Sequence, residues 1–227
     1  MMTAMTANTP RRGRPPKGEN QLSRDAIVEA TLKVIDTDGV RAVSMRAVGR
    51  VLGVDAKSLY NHVEGKDGLL DAVAERLLGA IALPDLTGDT RADLRAISYA
   101  FRARALAHPE AAALVLTRQL ASLEGLAPVE AVLRVLRSAG CYPAEAVQLL
   151  RALVAMLIGT LLRELNAGPT YGTADTQAIA QRQSILANSG LPAVADAAQH
   201  LARFDGVAEY DFAVDLAIDA VLARVDQ

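Results

Sequence analysis

The chain has 227 residues, 51% hydrophobic and 22% charged, with a formal net charge of −2 and one cysteine, Cys141. So much apolar side chain excludes a disordered polymer, and a lone cysteine excludes an internal disulfide and points to the reducing cytoplasm. The opening MMTAMTANTPRRGR has no apolar run that would serve as a signal peptide, and ALVAMLIGTLL at 152–162 is shorter than the ~20 residues a bilayer crossing takes, so no membrane partner is expected.

Residues 1–21 read as a basic arm. In RRGRPPKG at 11–18 four cations stand with no acid, and Gly13, Pro15, Pro16 and Gly18 forbid a helix. Residues 1–82 carry a net +2 and the remainder −4, so the N-terminal part is the one suited to a polyanion. Helical signals follow almost without interruption. Ser23 can cap a helix with Ala26, Ile27, Ala30 and Val34 on one stripe, ended by Gly39. Ser44 can cap a short helix with Met45, Val48 and Leu52 inward, Gly53 supplies a tight turn, and a second short helix turns Leu59 and Val63 inward. A fourth helix begins near Lys66, carries Leu69, Leu70, Val73, Leu77 and Ile81, and stops before Pro84.

LPDLTGDT at 83–90 gathers Pro, Gly and Asp and predicts a boundary between a domain at 22–82 and one at 83–227. Beyond it, Thr90 and Asp93 predict a capping box for a helix ending near His108. Further helices are expected from Pro109 to Leu120 and over 127–138, 143–166, 174–188, 192–204 and 206–225, with no strand-like alternation. The fold class is therefore all-α.

A capped helix, a glycine turn and a second helix bearing Lys57, Ser58, Tyr60, Asn61 and His62 form a helix-turn-helix pattern, whose second helix enters the DNA major groove. Residues 22–82, and SMRAVGRVLGVDAKSLYNHVEGKDGLLDAVAERLL most densely, resemble the N-terminal domain of the TetR (tetracycline repressor) family, through LYNHV, the following lysine and LL. The resemblance implies a three-helix DNA-binding domain joined by a fourth helix to a C-terminal bundle for ligand binding and dimerisation. It implies that Ser44 meets a phosphate, Arg46 a base edge, and Ala56, Lys57 and Ser58 the bases. Tyr60, Asn61 and His62 would touch backbone or flanking bases, and Lys66 a phosphate. Gly65 departs from the serine common at that position. Arg12-Gly13-Arg14-Pro15 resembles the core of an AT-hook, whose arginines fit a narrow A·T minor groove; the alternative is a solvated tail.

In such a family the partners are double-stranded operator DNA, a small-molecule effector and a second copy of the chain. Val207, Tyr210, Val214, Ile218, Val221 and Val225, with the apolar positions of 147–165, are expected at the dimer interface unless they only fill the monomer core. Polar residues on apolar helices, namely Arg104, His108, Gln119, Thr160, Arg163 and Glu164, are candidate effector anchors. Val115 falls where tetracycline repressors place a magnesium-ligating histidine, so a metal–tetracycline effector is not expected. An enzyme finds no support: His62, His108 and His200 lack metal-ligand spacing, Cys141 has no partner signature, and no phosphate loop is present, so no cofactor is expected. A DNA-architectural protein with no effector stands as the other reading.

Overall fold

The computed structural model describes residues 22–115, 123–165 and 175–225, and within them the chain is a set of α-helices with two short 3-10 turns. Arg12, Arg14 and Gln119 lie outside the described residues. Helix α1 (Arg24–Asp38) starts where the Ser23 hydroxyl oxygen accepts from the Ala26 N–H, and ends at Gly39, whose φ of +80° suits a residue without Cβ. Its inward Thr31 satisfies its hydroxyl by donating to the Ile27 carbonyl one turn back. Helix α2 (Met45–Leu52) is capped by Ser44, Gly53 makes the left-handed turn at φ +68°, and Asp55 caps the short α3 (Ala56–Leu59). Helix α4 (Gly65–Gly79) begins without a side-chain cap, as the absence of serine at 65 foreshadows; Gly65 itself sits at φ +65°. Leu69, Leu70, Val73 and Leu77 bury its inner face, and Arg24 reaches from α1 to pair with the buried Glu75 at 2.8 Å.

The bundle comprises α5 (Thr90–Ala107), α6 (Pro109–Val115), α7 (Ala127–Ser138), α8 (Pro143–Leu165), α9 (Thr176–Ala187), α10 (Pro192–Asp196), α11 (Ala198–Leu201) and α12 (Gly206–Val225). The segment expected as one helix over 192–204 is two short ones that meet at Ala197. The apolar stretch expected to be short lies within the 23 residues of α8, long and apolar enough to cross a bilayer; here Leu153, Leu157 and Leu161 pack it into the bundle core beside α12.

Two expectations change with the packing. First, Thr90 and Asp93 do not form a capping box. Asp89 caps α5 by accepting from the Ala92 N–H at 2.7 Å, while the Asp93 carboxylate folds back onto the linker. There it accepts from the Thr87 N–H and hydroxyl, both at 2.8 Å, and from the Gly88 N–H at 3.0 Å. Those donors, the Thr87 N–H foremost, hold its pKa below the usual range. Second, Tyr210, Val214, Ile218 and Val221 of α12 are buried within one chain, against α5 and α8, because they share the face of α12 that closes the monomer core. Packing also crosses the linker at 83–90. Ala111 and Leu114 of α6 belong to the same apolar core as Ile27, Ile35, Val48 and Leu59, since α6 folds back onto α1 and α4.

Because the carboxylate form of Asp93 is the one that is bonded, its contribution is complete above the unfolded pKa of about 4 and fades as pH falls through the lower folded value. Asp93→Ala should therefore lower Tm at neutral pH, and the gap to wild type should close in acid. Thermal melts at several pH values check this; a gap that widens in acid would contradict it.

Candidate nucleic-acid interface and ligand cavity

The two short helices meet at a close backbone approach. A Cβ added at Gly49 would lie 2.9 Å from the Val54 carbonyl oxygen and 3.4 Å from the Ala56 Cα, and the Val54 N–H donates to the Gly49 carbonyl at 2.9 Å. Glycine inside a helix costs about 1 kcal/mol against alanine, so its presence in mid-α2 is a sequence signal of close approach that polar-residue reasoning passes over. Met45, Val48, Leu59 and Val63 turn inward from this unit and anchor α3 to the head core.

The other side is polar and accessible. Arg46, Lys57, Asn61, His62 and Lys66 are exposed, Tyr60 is 60% exposed despite its ring, and Ala56 and Ser58 are half-buried at the start of α3. Ser44 accepts from the Ala47 N–H, which leaves its hydroxyl hydrogen available to a phosphate oxygen. Among the described residues Arg46, Arg50 and Lys57 make no ion pair, so their charge is free to meet an anion; Lys66 donates only to the Arg41 carbonyl, at 3.4 Å. Of the predicted residues from 44 to 66, Ala56 and Ser58 are thus half-buried and the others exposed.

In the bundle an apolar cavity opens between α5, α7 and α8. Val129, Val132, Leu150, Leu153 and Leu157 line it, and Ser98 is its polar member. A second, smaller cavity lies between α4 and the α5–α6 junction, lined by Leu77, Ala105, Ala112, Arg104 and His108. Ile81 and Phe101 line both. Of the anchors expected from sequence, Arg104 and His108 are thus at a cavity wall. Thr160, Arg163 and Glu164 line neither cavity. The Thr160 hydroxyl donates to the Met156 carbonyl, Arg163 pairs with Glu209 at 3.9 Å and lies over Phe204, and Glu164 pairs with Arg102. Sequence reasoning favoured polar residues and so missed Phe101, Ile81 and the aliphatic lining.

Helix α5 is fixed to the bundle by a polar ladder. Arg91, Arg95 and Tyr99, each one turn apart, bond Asp219, Asp215 and Asp211 of the antiparallel α12. Arg102 follows, paired with Glu164 of α8 where both side chains are only 15% exposed and lying over the Tyr210 ring. The Tyr210 hydroxyl donates to the Ser98 carbonyl at 2.7 Å, and burial pushes its pKa up. Past Arg102 the polar links run to the head instead. Arg104 Nε donates to the Leu77 carbonyl of α4 at 3.3 Å, and His108 Nδ1 lies 3.1 Å from Asp36 of α1.

Two family models match the chain: bacterial regulatory proteins of the tetR family over residues 27–73, and the tetracyclin repressor-like C-terminal domain over 83–225. An HTH-type transcriptional regulator of Saccharopolyspora erythraea is 38% identical over 144 residues, covering 63% of this chain and 61% of that one. The HTH-type transcriptional repressor DrrR1 of Streptomyces coeruleorubidus is 30% identical over 162 residues, 70% of this chain and 58% of that protein. The matched regions thus span about three-fifths of the length of these curated relatives. Among solved structures, the Streptomyces coelicolor TetR family protein ActR in complex with actinorhodin superposes with a TM-score of 0.79 at 24% identity, covering 89% of this chain and 96% of that one. TetR from Acinetobacter baumannii superposes with a TM-score of 0.64 at 23% identity, covering 90% and 99%. Likeness at that identity speaks to the fold.

The close approach at Gly49 yields a direct test. Gly49→Val should destabilise the protein by about 1–3 kcal/mol in denaturant unfolding, because backbone rather than a flexible side chain must yield. Unchanged stability would contradict the contact.

Proposed function

The chain belongs to the TetR family of bacterial regulatory proteins, and from that premise we propose that it is a sequence-specific DNA-binding transcriptional regulator, a homodimeric repressor released from double-stranded operator DNA by a small-molecule effector. The observation that carries this is the exposure pattern over α3 and the turn that follows it: Leu59 is fully buried while Lys57, Tyr60, Asn61 and His62 stand in solvent, and on α2 Arg46 is exposed with no ion pair among the described residues. A helix that served only to fill a core would not present such a set. Arg46, with its planar fork, is the base reader; Ser44 and Lys66 hold phosphates; Arg12 and Arg14 extend the contact into an A·T minor groove. The protein acts in the cytoplasm, where its DNA partner is. Similar proteins carry descriptions as regulators and repressors rather than as enzymes, which supports a regulator here.

Arg46→Ala should lower the preference for cognate over random DNA by about 1–3 kcal/mol per base pair read. Lys66→Ala should weaken binding to both alike and reduce the salt slope by about 1. Equal losses on both DNAs for Arg46→Ala would remove it from the readers.

One recognition helix reads one half-site, so tight binding needs a two-fold partner. The surface that suits it is the outer side of α8 and α12. On α8, Ala152, Ala155 and Gly159 are exposed and small enough for helices to approach closely; on α12, Phe212 and Leu216 are 67% and 50% exposed. Single exposed apolar side chains are ordinary, but an apolar face spread over two packed helices marks an interface. Phe212→Glu with Leu216→Lys should give a folded monomer in analytical ultracentrifugation, since neither residue belongs to the monomer core. A wild-type protein that sediments as a monomer at micromolar concentration would sink the dimer.

The effector reading draws on the cavity between α5, α7 and α8, whose lining is almost wholly apolar. Ile81, just past the end of α4, is part of its wall, so a ligand there touches the segment leading to the DNA reader. The bound ligand favours an arrangement in which the two recognition helices no longer match successive major grooves, and operator affinity falls by the ligand's differential affinity for the two arrangements.

A further inference from the structure

The four arginines of α5 are not equivalent. Arg91, Arg95 and Arg102 are each paired with a carboxylate of α12 or α8. Arg104 is not. Among the described residues its one recorded bond runs from Nε to the Leu77 carbonyl, which leaves both terminal nitrogens of the guanidinium without a protein acceptor. Yet it is half-buried, and it lines a cavity whose other walls are Leu77, Ile81, Phe101, Ala105, Ala112 and His108. The carboxylate of Asp36 is engaged by His108 and does not line the cavity. A guanidinium that is partly removed from water and lacks an acid partner favours an anion, and its fork accepts a planar or tetrahedral oxyanion through two parallel hydrogen bonds.

We propose that the bundle takes an amphipathic anion: an apolar body in the larger cavity and a negatively charged end group, a carboxylate or its chemical equivalent, on Arg104 in the smaller one. Phe101 and Ile81 line both cavities and would contact the neck of such a ligand. This rests on the reading of the bundle as an effector site and narrows the effector's class. It also gives the ligand a handle on the head. An oxyanion on Arg104 draws the guanidinium off the Leu77 carbonyl, one of the polar links between α5 and α4.

The test is a fluorescence titration of the full chain with two dyes that differ by one group, anilinonaphthalene sulfonate and the neutral phenylnaphthylamine. Arg104→Gln should weaken the sulfonate about tenfold, the loss expected for a charge-assisted hydrogen bond, and leave the neutral dye unchanged. Arg104→Lys should restore part of that loss, and Lys33→Gln, a surface cation of α1, should change neither. Ala105→Glu, which keeps Arg104 and adds a carboxylate to the wall, should repel the sulfonate alone. Val132→Phe, which fills the larger cavity, should weaken both dyes. If Arg104→Gln and Ala105→Glu leave the sulfonate unaffected, or weaken both dyes equally, the anion site is overturned while the apolar cavity stands. If Val132→Phe affects neither dye, the cavity reading itself falls, and the anion site with it.

Discussion

Two side chains of α6, Ala111 and Leu114, sit in the core of the DNA-reading head, and the rest of the arrangement depends on them. They are buried with Ile27, Ile35, Val48 and Leu59, although they belong by sequence to the bundle. A close-packed interior does not deform continuously; it holds one packing or switches to another. The head therefore cannot change its angle to the bundle without repacking α6, and α6 cannot shift without disturbing the core beneath the helix-turn-helix. This coupling is a consequence of packing alone.

The polar interactions of α5 divide along the same line. From Arg91 to Arg102 its side chains are tied to α12 and α8, and the Arg102–Glu164 pair is sheltered enough that removing one partner would cost about 3–5 kcal/mol by stranding the other charge. Gly206 lets α12 start against this pair, since a Cβ there would meet the Glu164 side chain at 2.9 Å. From Arg104 onward the ties go to α4 and α1. One helix thus joins the proposed dimer surface to the head, and the smaller cavity lies at the change from one to the other.

Much of this was legible in the sequence because it depends on local rules. Ser23 and Ser44 cap, Gly39 and Gly53 turn, and Leu59 and Val63 face inward, all from nearest-neighbour chemistry. What escaped depends on which face meets which neighbour. The stripe of Tyr210, Val214 and Ile218 reads the same whether it faces its own core or a second chain, and only the fold assigns it to the former. Asp93 sits where a capping box would use it, yet the linker supplies better donors. Gly49 and Phe101 carry no polar signal, though one sets the helix-turn-helix contact and the other joins two cavities. Arg104 stood among several polar candidates, and only the pairing of its neighbours on α5 sets it apart.

In the proposed function, occupancy of the cavities and binding of DNA oppose each other across the packing of α4, α5 and α6. Coupling of this kind is reciprocal, so it can be read from the ligand side. The measurement is the affinity of anilinonaphthalene sulfonate for the wild-type protein, free and saturated with a cognate duplex selected from random DNA, with a scrambled duplex as control. Cognate DNA should weaken dye binding by about 5–150-fold, the usual range of such couplings, while scrambled DNA should have little effect. Equal dye affinity in the free and operator-bound protein would contradict it.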